Sequence, residues 1–186
     1  MESYVGSGII LIIFLYFVWI YNRIIALQQT RKSSFADIDV QLKLRHDLIP
    51  NLVETVKRYL QHEKELLENV TAARASAMKA SSVSEKSVAE TVLESAMVKL
   101  LAVAENYPDL KADSSFNRLQ GELSALERSI AAARRFFNNA TAELNTASQQ
   151  FPANFIARIF GFSESDFFEL EDDKRQEIEE PSKIKF

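Results

Sequence analysis

The most constraining feature of this sequence is an apolar repeat in its C-terminal half. Neither a strand nor a loop has such a period, and a strict seven-residue repeat predicts helices packed side by side, knobs into holes. The repeat predicts one long helix over residues 115–151 with a buried face. Its apolar residues recur in alternating steps of three and four, at Phe116, Leu119, Leu123, Leu126, Ile130, Ala133, Phe137, Ala140, Leu144, Ala147 and Phe151.

Two further stretches carry the same repeat. Twelve of fourteen heptad positions are apolar over residues 35–80, and a shorter apolar series covers residues 89–107. We therefore predict two more helices, over residues 31–80 and 84–106, that pack against the first.

Two charged residues, Arg45 and Glu63, occupy heptad core positions in the first of these stretches. A buried charge that lacks a partner is strongly destabilising. We therefore predict an acidic partner for Arg45, and one of Arg128, Arg134 or Arg135 as the partner of Glu63.

Pro50 lies inside the same stretch. A proline in a helix interior costs about 3 kcal/mol. The apolar period nevertheless passes Pro50 without a phase shift, and no turn residues flank it. The pattern favours a kinked helix over a hairpin at this point.

Turn residues mark the other helix ends. Ser84 is the predicted N-cap of the middle helix, and Asp113 or Ser114 is the predicted N-cap of the third. Pro108 disfavours helix at the residue before it, so we predict an extended linker over residues 107–114.

The N-terminal region is long and apolar enough to cross a membrane. Residues 3–22 carry no formal charge, and residues 9–20 are apolar throughout. A helix of this length spans a hydrocarbon core of about 30 Å. A cleaved signal peptide would require basic residues before the run and a small-residue cleavage site after it, and neither is present. We predict a retained transmembrane anchor rather than a signal peptide or a buried core helix.

The flanks of this run predict its boundaries and orientation. Tyr4 lies at one end and Trp19 and Tyr21 at the other, where amphipathic rings favour the headgroup level, so these residues and Arg23 form the predicted membrane interface. Basic residues follow the run, whereas Glu2 precedes it. Because the basic flank normally stays in the cytoplasm, we predict an N-terminus outside and a cytoplasmic C-terminal domain.

The composition offers little to chemistry. The chain has no cysteine, two histidines and four glycines, with a net charge of −4. His46 and His62 belong to no metal-binding motif, and we interpret both as surface residues. The acidic balance does not favour nucleic-acid binding. We therefore predict no catalytic, cofactor-binding or metal-binding residue, no cofactor, and no small-molecule substrate.

The C-terminal region breaks the repeat. A short helix over residues 154–160 that ends at Gly161 fits the pattern. The phenylalanines here either cover one end of the helices or form an exposed patch for a partner or a second copy. Residues 171–186 predict an acidic, disordered tail, distinctive to this chain. The possible partner-contact residues are Phe155, Phe160, Phe162, Phe167 and Phe168.

Four separated segments identify a family. They read DIDVQLKLRHDLIPNLVETVK at residues 37–57, AENYPDLKA at 104–112, ARRFFN at 133–138, and FPAN at 151–154 with FGF at 160–162. These segments closely resemble the LemA family of bacterial membrane proteins, over residues 21–168. The resemblance implies a bacterial source, a single N-terminal anchor and a helical bundle inside the cell. The family has no established enzymatic activity; members associate with envelope proteins and membrane proteases, and a relative takes part in magnetosome membrane formation.

Together these features predict an all-α protein, an elongated up-down helical bundle of three long helices plus a short C-terminal one on a single transmembrane helix. The predicted divisions are residues 1–22 for the anchor, 23–170 for the LemA-like bundle and 171–186 for the tail. The predicted location is the bacterial plasma (inner) membrane, single-pass. We expect a non-enzymatic scaffold that contacts the lipid bilayer and either self-assembles as a homo-oligomer or binds another envelope protein. The alternative is a membrane-shaping protein that binds lipid through basic helical faces.

Overall fold

The computed structural model describes residues 2–60 and 62–168, and these residues form six helices and no strand. The all-α prediction is confirmed. The predicted acidic tail over residues 171–186 lies outside the described residues. The helices are α1 (Glu2–Lys57), α2 (Lys64–Ala77), α3 (Val83–Ala104), α4 (Pro108–Ala112), α5 (Ser114–Gln149) and α6 (Ala153–Phe160).

The described chain packs as two compact units. The terminal unit combines α1 up to Asp39 with Ala132–Phe167, and the central unit combines Val40–Ala131 with Phe168. The domain boundaries predicted at residues 22 and 170 stay predictions.

The central unit has the larger apolar core. Its buried side chains come from the second half of α1, from α2, α3 and α4, and from the start of α5. Many lie at the predicted heptad positions, but Leu67, Met97 and Ala104 do not. Among the buried side chains, Val56, Val70, Leu93, Leu100 and Leu110 have no measurable exposure.

Helix α1 continues through Pro50 without a break, so the preference for a helix over a hairpin there is confirmed. The predicted helix over residues 31–80 is nevertheless wrong at its far end, because α1 ends at Lys57 and α2 starts at Lys64. Leu60 in the connection and Val70 in α2 are buried in the same core as the side chains of α1. The repeat therefore predicts which residues are buried before and after the connection between α1 and α2, but it does not predict the connection itself.

Local capping accounts for the starts of α3 and α5. Ser82, not the predicted Ser84, caps α3, because its hydroxyl accepts from the backbone N–H of Glu85 while the Glu85 carboxylate accepts from that of Ser82, a capping box. Asp113 caps α5 as predicted, accepting from the N–H groups of Ser115 and Phe116.

The connection between α3 and α5 is only partly extended. Tyr107 is extended, as a residue before proline should be, but Pro108 then starts the short helix α4. The predicted extended linker over residues 107–114 is therefore wrong in its middle. Leu110 of α4 is fully buried, and this apolar contact explains why the segment folds back onto the core.

Candidate functional site

In the terminal unit, the exposure of α1 changes sharply at Ile20. All described side chains over residues 4–19 are exposed, although most are apolar. From Ile20 onward one face is buried, and Ile20, Ile24 and Leu27 pack with Leu144 of α5 and with α6. Helix α1 is the one helix among the described residues that is long and apolar enough to cross a membrane.

The predicted interface residues lie on both sides of this change. Tyr4 and Trp19 are exposed, and the Trp19 ring stacks on Tyr16 with centroids 6.0 Å apart. Arg23 is exposed and lies 3.5 Å from a carboxylate oxygen of Glu143.

Tyr21, in contrast, is half-buried. Its ring centroid lies 4.7 Å from that of Phe160 and 6.0 Å from that of Phe162. The C-terminal phenylalanines therefore pack beside the end of the exposed apolar segment. The sequence pattern does not predict this contact, because Tyr21, Phe160 and Phe162 lie outside the heptad repeats.

The five predicted partner-contact phenylalanines have three different environments. Phe155 and Phe160 are exposed, and Phe162 and Phe167 are half-buried. Phe168 is buried, with 4% of its surface accessible. Of the two predicted alternatives, Phe168 therefore fits the one in which the phenylalanines cover the helices, because its ring is already covered within the chain. The assignment of these five residues as partner contacts stays a prediction.

The segment after α6 is held to α5 and α1 by polar contacts. Gly161 adopts the left-handed conformation, with φ 74°, and ends α6 as predicted. Asn145 and the backbone of Ser165 then exchange two hydrogen bonds, of 2.9 and 3.0 Å. Arg31 donates to the backbone oxygen of Asp166 at 2.7 Å. After the turn at Gly161, these hydrogen bonds hold the following segment against α5 and α1.

Arg31 also binds inside the terminal unit. Its Nε donates to Thr141 at 3.0 Å, and its guanidinium carbon lies 4.8 Å from the centroid of the Phe137 ring. Burial lowers the pKa of Arg31 from its ordinary value, although the charge of Asp166 opposes this. One of the basic residues that follow the apolar run is therefore engaged with protein groups.

The central unit contains a buried charge cluster, made of Arg45 and His46 of α1, Glu90 of α3 and Glu127 of α5. Arg45 and Glu90 have no measurable exposure. The Arg45 guanidinium donates to Glu90 through one terminal nitrogen and to both oxygens of Glu127, at 2.9 and 3.1 Å, through the other. The predicted acidic partner of Arg45 is confirmed.

Arg45 and the carboxylates around it stabilise each other's charged forms. Burial alone would lower the pKa of Arg45, but the carboxylates of Glu90 and Glu127 outweigh it and raise this pKa. Burial would likewise raise the pKa of Glu90, but the hydrogen bond from His46 and the charge of Arg45 hold it below its ordinary value. Both groups therefore stay ionised inside the core.

The histidines differ from the predicted surface role in one case. His46 is buried, and its Nε2 lies 2.7 Å from Glu90 Oε1, so the interpretation as a surface residue is wrong there. His62 is exposed. Over residues 2–60 and 62–168, no group of three or more metal-ligating side chains comes together.

The predicted partner of Glu63 is also wrong. Glu63 precedes α2 and is only half-buried, and its side chain forms no ion pair within the described part of the chain. Because the connection between α1 and α2 interrupts the helix, this heptad position does not face the core.

Two polar contacts of the central unit are not predicted from the sequence. Glu90 lies seven residues before Met97, in heptad register with a buried apolar position, and this register is the signal that could have revealed it. Arg74 donates its Nε to the backbone oxygen of His46 at 2.6 Å. That oxygen has no helical partner, because its normal donor is the residue four positions on, Pro50, which has no N–H.

The central unit also has an open groove between α2 and α3. Small side chains line it, including Ala72, Ala73, Ser76, Ser95 and Ala96. It holds no cluster of groups suited to catalysis, and its lining is mostly uncharged.

An apolar, exposed N-terminal helix that continues into packed helices defines a class, the membrane-associated all-α proteins. The chain belongs to the LemA family, whose model matches residues 34–186. The matched region includes the residues after Glu171, the extension predicted to be distinctive to this chain.

The chain is also similar, over less than half of its length, to curated proteins. The chain is 30% identical over 73 residues to the magnetosome protein MamQ of Magnetospirillum gryphiswaldense, covering 39% of this chain and 27% of the relative. It is 30% identical over 74 residues to the magnetosome protein MamQ 2 of Paramagnetospirillum magneticum, covering 40% and 27%. The chain thus spans about a quarter of the length of these relatives.

Proposed function

We propose that this chain is a non-enzymatic scaffold or interaction protein of the bacterial cell envelope, anchored by the first part of α1. One observation carries the proposal: the apolar side chains over residues 4–19 are exposed, and the same helix continues into the packed terminal unit. Water-exposed apolar surface of this extent is unfavourable. A lipid bilayer would cover it.

The proposed topology is single-pass in the plasma (inner) membrane, with the N-terminus outside and residues from Arg23 onward in the cytoplasm. The basic residues that follow the span support this orientation. MamQ, as a magnetosome protein, supports a membrane-bound role by similarity.

The lack of cysteine allows a direct test of the topology. Single-cysteine variants Tyr4→Cys and Glu68→Cys, both at exposed positions, are treated in spheroplasts with a membrane-impermeant maleimide. We expect labelling at position 4 in intact spheroplasts and at position 68 only after permeabilisation. The reverse pattern would contradict the orientation, and release of the protein from membranes by alkaline carbonate would contradict the anchor.

The non-enzymatic part of the proposal is supported by the environment of the polar side chains. Glu90 and His46, which are chemically suited to proton transfer, are engaged with each other and with Arg45 in the core. His62 is exposed and is not part of a metal-ligating group among the described residues.

The scaffold role requires assembly. Light scattering of the full chain in mild detergent, together with affinity purification from membranes, measures it. We expect a homo-oligomer or a co-purifying envelope protein. A monomer that retains no partner would argue against a scaffold.

The alternative, a membrane-shaping protein that uses basic helical faces, is less well supported. Arg23 lies near Glu143, and Arg31 is engaged with Thr141 and Asp166. Electron microscopy of anionic liposomes carrying the full chain would favour the alternative if it showed protein-dependent tubulation.

A further inference from the structure

Helix α6 exposes an apolar face that the proposed scaffold function does not explain. Its buried face, Ile156 and Ala157, packs on α1. A second face carries Phe155 and Ile159, which lie one helical turn apart and are 57% and 77% exposed. Phe151 extends this face, because its ring meets that of Phe155 edge-on with centroids 6.0 Å apart. We call Phe151, Phe155 and Ile159 the α6 apolar face.

Both ends of α6 lie at the same level along α1. At its start, Phe151 and Pro152 line one small cleft together with Tyr16 and Trp19. At its end, the Phe160 ring contacts Tyr21. The α6 apolar face therefore lies beside the residues where the exposed apolar part of α1 ends.

The exposed surface of α6 also includes polar side chains. Asn154 and Arg158 are exposed and lie one turn apart, next to the apolar face. A short helix with apolar residues on one side and a basic residue on the other is suited to the boundary between headgroups and acyl chains.

We propose that α6 is an interfacial helix, whose apolar face of Phe151, Phe155 and Ile159 inserts into the surface of the same bilayer that α1 spans. This inference rests on the proposed anchoring. The occupant is lipid because the face is continuous with the exposed apolar surface of α1 at Trp19. The protein would then contact the membrane through both α1 and α6. The insertion of α6 would fix the orientation of the terminal unit relative to the bilayer.

The single tryptophan of the chain provides the test. The full-length protein is reconstituted into phosphatidylcholine and phosphatidylglycerol vesicles whose acyl chains carry bromine, which quenches tryptophan in contact with lipid. The unmodified chain reports on Trp19, and the double variant Trp19→Phe with Phe155→Trp reports on α6. The matched control is Trp19→Phe with Phe136→Trp, because Phe136 is about as exposed as Phe155 but lies on α5 beside Phe137.

We expect bromine to quench the tryptophan at position 155 about as strongly as Trp19, and more strongly when the bromine is near the headgroup end of the acyl chain. The tryptophan at position 136 should keep its emission. A second reporter, Ile159→Trp in the Trp19→Phe background, covers the case in which the substitution at position 155 disturbs folding.

Quenching of Trp19 without quenching at positions 155 and 159 would overturn the inference and leave the anchor intact. Blue-shifted but unquenched emission at these positions would also overturn it, because protein rather than lipid would then cover the face. If Trp19 itself is not quenched, the proposed anchor fails as well.

Discussion

The terminal and central units bury polar groups in different ways. In the terminal unit, Arg31 contacts a hydroxyl, a backbone oxygen and an aromatic ring, and Asn145 pairs with the backbone of Ser165. In the central unit, the fully buried Arg45 is paired with two carboxylates.

The difference has energetic consequences. A buried ion pair seldom adds net stability over apolar residues of the same size, but the loss of one partner is costly because it leaves an uncompensated charge. We therefore expect the charge cluster to favour one helix register over others, as a polar core residue does in coiled coils. The terminal unit instead depends on apolar burial, beside a surface that lipid is expected to cover.

The largest expected effect is in the terminal unit. Phe137→Ala removes a ring with no measurable exposure, which contacts Phe35 and Arg31. We expect a loss of about 3–5 kcal/mol in the free energy of unfolding, measured by denaturant titration of the full chain in mild detergent. Phe136→Ala at the exposed neighbour should change it by less than about 0.5 kcal/mol. Equal losses would mean that apolar burial does not stabilise this unit.

Breaking the charge cluster should cost nearly as much. Glu90→Gln keeps the side-chain shape but leaves Arg45 with Glu127 alone, and we expect a loss of about 3 kcal/mol. Glu68→Gln, at an exposed pair with Lys64, should stay within about 0.5 kcal/mol. The double variant Arg45→Met with Glu90→Leu should recover part of the loss. A double variant less stable than Glu90→Gln would show that the pair itself stabilises the fold.

A smaller effect is expected where Arg74 donates to the backbone oxygen of His46. Arg74→Met leaves this oxygen without a donor, and we expect a loss of about 1–2 kcal/mol. In a Pro50→Ala background the restored helical N–H should reduce that loss, so the two substitutions should couple in a double-mutant cycle. Additive effects would mean that Arg74 acts through other contacts.

Mild acid should have the smallest effect. The pKa of Glu90 is held below its ordinary value, so its contribution to stability is complete above the unfolded carboxyl pKa of about 4.3 and is lost as the pH falls through the folded pKa. The melting temperature should therefore change little from this group between about pH 7 and pH 5, and fall below that. The fall should be shallower in Glu90→Gln. An identical fall in both proteins would assign the acid sensitivity to other carboxylates.

Most of the fold could be predicted from the sequence because it rests on local patterns. The heptads of α3 and α5, the stop at Gly161 and the cap at Asp113 depend on residues close in the chain. The end of α1 at Lys57 could not be predicted, because the apolar period continues through a connection in which Leu60 is buried in the same core.

Less of the candidate sites could be predicted from the sequence. The partner of Arg45 could be predicted as acidic from the cost of burying a charge, but not as Glu90 and Glu127. The phenylalanines could be singled out as a group, but not sorted into the exposed Phe155 and the buried Phe168. Such details depend on the approach of helices that are distant in sequence.

The sequence by itself determined that this chain is helical, that one uncharged run is long enough to cross a bilayer, and where most buried faces lie, because periodicity and length act over a few turns. Only the tertiary structure decided that α6 lies beside the end of that run and that α3 and α5 supply the carboxylates facing Arg45. These contacts join residues far apart in the chain, and the packing of whole helices, rather than any local pattern, brings them together.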